Sequence, residues 1–141
     1  MVRKDSVKIV HRFWSEVWQP PYNLDAIDRL VVEEFVLTSG GEEITSRAAF
    51  KQWVAGFLAQ VTDLHLNPLE SFQNADGSRV VSRWVVTGKN GGIMGTSPNQ
   101  EPIRLTGIAV WAVREDGMLL HNWVERSSWE LYRRLTDSSH G

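Results

Sequence analysis

A chain of 141 residues has the length of one domain, and at this size about two-thirds of the unfolded surface can be buried, enough for a core without disulfide or metal staples. Fifteen Lys and Arg against seventeen Asp and Glu give a formal charge of -2, with neither sign gathered into a block, so the electrostatic footprint of a nucleic-acid binder is missing. Zero cysteines exclude a disulfide framework and a thiolate zinc site and fit a cytoplasmic protein. The opening Met1-Val2-Arg3-Lys4-Asp5 has no apolar signal region, and no run approaches the roughly 20 apolar residues of a membrane span.

In chain order, Asp5 or Ser6 can cap a first helix in which Val7, Val10, Trp14, Val17 and Trp18 recur at helical spacing until Pro20-Pro21 forbids continuation. Asn23 precedes a short amphipathic segment with Leu24, Ile27, Leu30 and Val31 inward, and Phe35 to Thr38 reads as a short strand ended by Ser39-Gly40-Gly41. Thr45 or Ser46 opens a third helix with the strongest period in the chain, carried by Phe50, Trp53, Val54, Phe57, Leu58 and Val61.

From Leu64 the period changes to two. Leu64–Phe72, Arg79–Thr87, Ile103–Arg114 and Met118–Arg126 read as four successive strands, joined by Asn74-Ala75-Asp76-Gly77, a glycine-rich loop holding Gly91, Gly92, Gly95 and Pro98, and Glu115-Asp116-Gly117. A last helix carries Trp129, Leu131, Tyr132 and Leu135 behind an S-x-x-E capping box of Ser127 and Glu130. The expected organisation is one domain over residues 1–137 and a frayed tail at Ser138 to Gly141. Helices followed by a strand meander predict an α+β fold, with helices on one face of a curved antiparallel sheet.

The stretches FWSEVWQPPYNLDAIDRL, RVVSRWVVTGKNGGIMG, LTGIAVWAVREDGMLLHNW and SSWELYRRL, taken in order, resemble the SnoaL-like polyketide cyclases, a branch of the nuclear transport factor 2-like superfamily. The resemblance implies a conical α+β barrel, its curved antiparallel sheet wrapped around the N-terminal helices and finished by a short C-terminal helix. It also implies a homodimer, and a pocket for an aromatic or polycyclic apolar small molecule. Its chemistry would be cofactor-free acid/base catalysis of cyclase, isomerase or hydrolase type. Where the family often carries an Asp before the last helix this chain has Ser127; where it often carries His, after the short strand and in the glycine loop, it has Thr38 and Asn90. None of the three titrates near neutrality.

If no bulge intervenes, Leu119, His121, Trp123, Glu125 and Ser127 share one side of the last strand. Because the family's acid falls at Ser127, that side is expected to face the cavity, which makes His121 and Glu125 the catalytic candidates. The bland alternative puts His121 at the rim and pairs Glu125 with Arg83 or Arg126. Candidate ligand contacts are Trp14, Trp18, Trp53, Trp84, Trp111 and Trp123 as flat apolar lining, with Thr38, Arg83, Asn90 and Ser127 as polar contacts. Arg83 serves either as an anion clamp or in a structural ion pair. The four His are too scattered for a metal site, and no cofactor is implied. Two rival classes stand beside the enzyme: a non-catalytic binding protein and a dimeric interaction module. An open interior of several hundred cubic ångströms would favour ligand binding and a filled one interaction.

Overall fold

The structure, a computed structural model, describes residues 5–137. Four α-helices and six strands follow in the order α1 (Ser6–Val17), α2 (Ala26–Leu30), β1 (Val31–Ser39), β2 (Glu42–Thr45), α3 (Arg47–Ala59), β3 (Val61–Gln73), β4 (Arg79–Asn90), β5 (Pro102–Val113), β6 (Leu119–Arg126) and α4 (Ser128–Asp137), with a 3-10 turn at Ile93–Gly95. The expected tail at Ser138 to Gly141 lies outside the described residues.

The sheet order is β2-β1-β6-β5-β4-β3. Strands β3 to β6 form the antiparallel meander that their period-two patterns predict. Strand β1 joins β6 in parallel, so the α+β class holds while the sheet is mixed. Its edges, β2 and β3, do not pair with each other; α3 packs against β1, β2 and β3 and spans the gap. Register shifts interrupt β1/β6 once, β3/β4 twice and β5/β6 once, and such bulges bend a sheet around its helices.

Helix α1 buries Val10, Phe13, Trp14 and Val17 against that sheet. Its expected side-chain cap does not form: Asp5 makes no such bond, and the Ser6 hydroxyl donates instead to the Gly77 carbonyl at 2.6 Å, tying the helix to the β3–β4 turn. Helix α3 is capped as expected by Ser46, whose Oγ accepts from the Ala49 N–H at 3.1 Å. The capping box at Ser127 is replaced by a bridge to β5, in which Ser127 Oγ accepts from the Thr106 N–H at 3.0 Å and the Ser127 N–H donates back to the Thr106 carbonyl at 2.9 Å.

Gly107 forms a notch in β5. A Cβ there would stand 2.2 Å from Trp84 Cζ2, so the missing side chain on β5 is the space in which the neighbouring strand's indole lies. Two aromatic groups fill the interior. Phe13, Phe35, Phe50 and Trp111 interlock at centroid distances of 4.6 to 6.1 Å, while Trp18, Trp53 and Phe57 meet at 5.6 to 6.3 Å. Each fully buried ring removes roughly 150–250 Å² from water, about 4–6 kcal/mol of transfer free energy.

Candidate active site

The concave face of the sheet is built from alternate residues: Leu37 and Ser39 on β1, Leu66 on β3, Trp84 and Val86 on β4, Ala109 and Trp111 on β5, and Asn122, Val124 and Arg126 on β6. With Phe13, Trp14, Trp18, Phe50, Trp53 and Phe57 from α1 and α3 they enclose a cavity of about 50 Å³. Five of the seven tryptophans line it. At its mouth a second pocket of about 190 Å³ opens beneath the glycine loop, walled by Gln60, Ile93, Met94, Leu105 and Ser128. Trp53, Phe57 and Arg126 belong to both walls.

On β6 the expected facing is reversed. The β5/β6 register steps between Ala112↔His121 and Val113↔Leu119, leaving Leu120 as an extra residue. Beyond this bulge Asn122, Val124 and Arg126 turn inward, while His121, Trp123 and Glu125 lie on the outer face. His121 stacks on Trp123 at 3.8 Å and hydrogen-bonds Thr38 at 2.8 Å. Its burial holds the imidazole below its ordinary pKa, with Glu43 opposing and Arg79 assisting. Thr38, Trp123 and Glu125 are therefore removed from the cavity together with His121.

The remaining expected contacts divide. Trp14, Trp18, Trp53, Trp84 and Trp111 line the cavity. Arg83 pairs with Glu70 at 2.6 Å on the exposed face, the structural alternative. Asn90 is fully buried and clamps the glycine loop: its Oδ1 accepts from the Gly92 and Ile93 N–H groups, both at 2.9 Å, and its Nδ2 donates to Thr96 Oγ1 and the Ser97 carbonyl, both at 3.0 Å. Ser127 holds β5 and contacts no cavity.

The polar groups that do face inward are Arg126, Asn122 and Ser39. Arg126 donates to Ser39 Oγ at 3.3 Å, and its guanidinium lies 5.1 Å from the Trp53 ring centre and 5.5 Å from that of Phe57. Burial pushes its pKa down from the ordinary value, with Glu125 opposing. Deeper in, Asn122 Oδ1 and Trp111 Nε1 are buried and have no hydrogen-bond partner among the described residues. The signal for these residues was the alternate register of the same strand: choosing Asn122, Val124 and Arg126 as the inward set would have found them.

A SnoaL-like domain model matches residues 10–122. The chain belongs to the SnoaL-like family. Its fold is shared with solved structures at low identity. A protein from Jannaschia sp. CCS1, assigned as a SnoaL-like polyketide cyclase, superposes with a TM-score of 0.84 at 15% identity over 96% of each chain. One from Acidithiobacillus ferrooxidans, assigned as a polyketide cyclase, gives 0.81 at 24% over 97% of this chain and 98% of the other. A protein from Catenulispora acidiphila with a ketosteroid isomerase-like fold gives 0.66 at 14% over 88% of this chain and 85% of the other. No curated protein matches the chain.

Among the described residues that wall the cavity of this SnoaL-like chain there is no Asp, Glu or His, and Arg126 is the one ionisable side chain. A guanidinium stays charged and cannot serve as a general base near neutrality. What the wall offers is flat apolar surface, one cation, an indole N–H donor and an amide. Among the described residues no three His, Asp or Glu side chains gather as metal ligands, and no helix is long and apolar enough to cross a membrane.

Proposed function

We propose that the chain is a pocket protein that binds a planar, largely apolar small molecule, aromatic or polycyclic, without proton-transfer catalysis inside the pocket. The observation that carries this reading is the wall itself: five tryptophans, two unpartnered polar atoms and no carboxylate or imidazole. Aldol-type cyclisation needs a group that takes a proton from carbon, and His121 and Glu125 lie on the far side of the sheet. The cavity of about 50 Å³ is smaller than the roughly 300–1,000 Å³ of ordinary ligand sites. Arg126, Trp53 and Phe57 line both this cavity and the mouth pocket, and the reading requires them to move aside for a ligand of ordinary size. Titration with a panel of aromatic polyketides tests the reading: saturable quenching or shift of Trp fluorescence supports it, and its absence across the panel overturns it. Turnover of a ligand by proton transfer that survives His121→Ala and Glu125→Gln would place a catalyst where none is assigned.

The outer face supports a homodimer as a second element. Phe72, Val81, Val110 and Trp123 form one cross-strand row over β3 to β6, and Phe72 and neighbouring Ile108 are 58% and 53% exposed. An apolar stripe of this kind is a self-complementary surface for a two-fold partner. Light scattering at micromolar concentration should give twice the 16.0 kDa chain mass, falling to one chain in Ile108→Lys. A wild-type monomer removes the proposal.

A further inference from the structure

Arg126 carries a positive charge into the boundary between cavity and mouth pocket, under two aromatic rings, and its hydrogen bond there is to a neutral hydroxyl at 3.3 Å. The carboxylate of the adjacent Glu125 projects to the opposite face. Desolvating a guanidinium without an anion is costly, and its planar fork matches a carboxylate in bidentate geometry. Four residues away along β6, at about 3.3 Å per residue or roughly 13 Å, the wall presents Asn122 Oδ1 and Trp111 Nε1, an acceptor and a donor on opposed residues, both buried and both unpartnered. Val124 lies between these polar ends along β6, and the indoles of Trp18 and Trp53 line the same cavity, that of Trp53 beside Arg126.

We propose that the pocket takes a planar organic carboxylate, with its anionic group on Arg126, its ring system against Val124, Trp18 and Trp53, and a hydroxyl or carbonyl at the far end received by Trp111 and Asn122. This rests on the ligand-binding reading and narrows it to a ligand class. An anion at the mouth draws the guanidinium off Trp53 and Phe57, which opens the inner cavity to the ring that follows. The carboxylate thus provides both the contact and the opening.

Calorimetric titration of wild-type protein with 2-naphthoate, its neutral analogue 2-naphthamide, and 6-hydroxy-2-naphthoate tests it. Wild type should bind 2-naphthoate at least about 10-fold more tightly than the amide, as a charge-assisted pair in a desolvated wall requires. Arg126→Met should abolish that preference while still binding the amide, and Arg126→Lys should keep part of it. The hydroxyl should add affinity in wild type and none in Asn122→Leu. Equal binding of 2-naphthoate and 2-naphthamide by wild type overturns the role of Arg126 and leaves the apolar pocket standing. No saturable binding of any of the three overturns both, and because these decisive comparisons use unaltered protein, misfolding of a variant cannot obscure them.

Discussion

Trp111 and Asn122 oppose each other across β5 and β6, both turn into the cavity, and each ends in a buried polar atom without a partner. An unsatisfied buried acceptor costs about 1–3 kcal/mol, so this pair is a local sacrifice of stability. Asn122→Leu should leave the ligand-free protein as stable or more so, by up to about 1 kcal/mol in urea denaturation. A loss greater than about 1 kcal/mol would mean that an ordered water already satisfies the amide.

The notch at Gly107 makes a steric prediction. Since an added Cβ would fall within 2.2 to 2.7 Å of three Trp84 ring atoms, Gly107→Ala must move the indole or the strand, at about 1–3 kcal/mol. Near-UV circular dichroism should change with it. Gly107→Ala combined with Trp84→Leu should cost less than the two single losses added together; strict additivity would show that the contact is not what the glycine serves.

His121 supplies a pH dependence with a defined sign. Its pKa is held below the ordinary 6.5, chiefly by burial, so the unfolded chain binds its proton more readily than the folded one. The associated stability is complete above about 6.5 and is lost as pH falls through the lowered folded value. Denaturation of wild type and His121→Gln at pH 7 and pH 5 should show the wild type losing more on acidification. Equal losses, or an imidazole NMR titration midpoint above 6.5, would refute the assignment. The same variant should bind pocket ligands unchanged.

Ser46 combines a cap with strain. Its φ of 92° and ψ of 149° lie in a region essentially reserved for glycine, yet its hydroxyl closes the first turn of α3. Ser46→Ala should lose about 1 kcal/mol, the ordinary value of a cap, whereas Ser46→Gly should lose less by relieving the backbone. Thermal denaturation of the pair decides, and an alanine variant equal to or better than the glycine one would contradict the reading.

The elements legible in the sequence were those with sustained periodicity. Strands β3 to β6 and α3 announce themselves because each alternates or recurs over many residues between Gly and Asn punctuation. Strand β2 was missed: Glu42–Thr45 is four residues long and mostly exposed, with too little alternation to stand out from a turn. The parallel joint of β1 with β6 joins residues 85 to 88 positions apart, from Ser39↔Val124 to Val31↔Leu119, which no local pattern encodes. The candidate site failed at a single bulged residue. Leu120 is as apolar as its neighbours, so nothing in its chemistry marks the step in register, yet that step exchanges His121, Trp123 and Glu125 for Asn122, Val124 and Arg126. The tryptophans were recoverable because a large ring serves as lining from either helix or strand.

The single parallel joint between β1 and β6 has a mechanical meaning. The cavity floor, residues 61–126, is one contiguous meander whose strands hold one another, whereas the roof, α1 and α3, belongs to the earlier stretch that reaches β6 through β1 and packs on β3 and β4 as well. A roof held mainly by side-chain packing is expected to open at lower free energy than a meander whose strands hydrogen-bond one another. Amide exchange should show α1 and α3 opening at lower free energy than the central strands β4 and β5, with uniform exchange across both as the contrary result. Under the proposed ligand-binding reading, a loosened roof adds room behind the Arg126 mouth, so a chamber with almost no standing volume needs no permanent doorway.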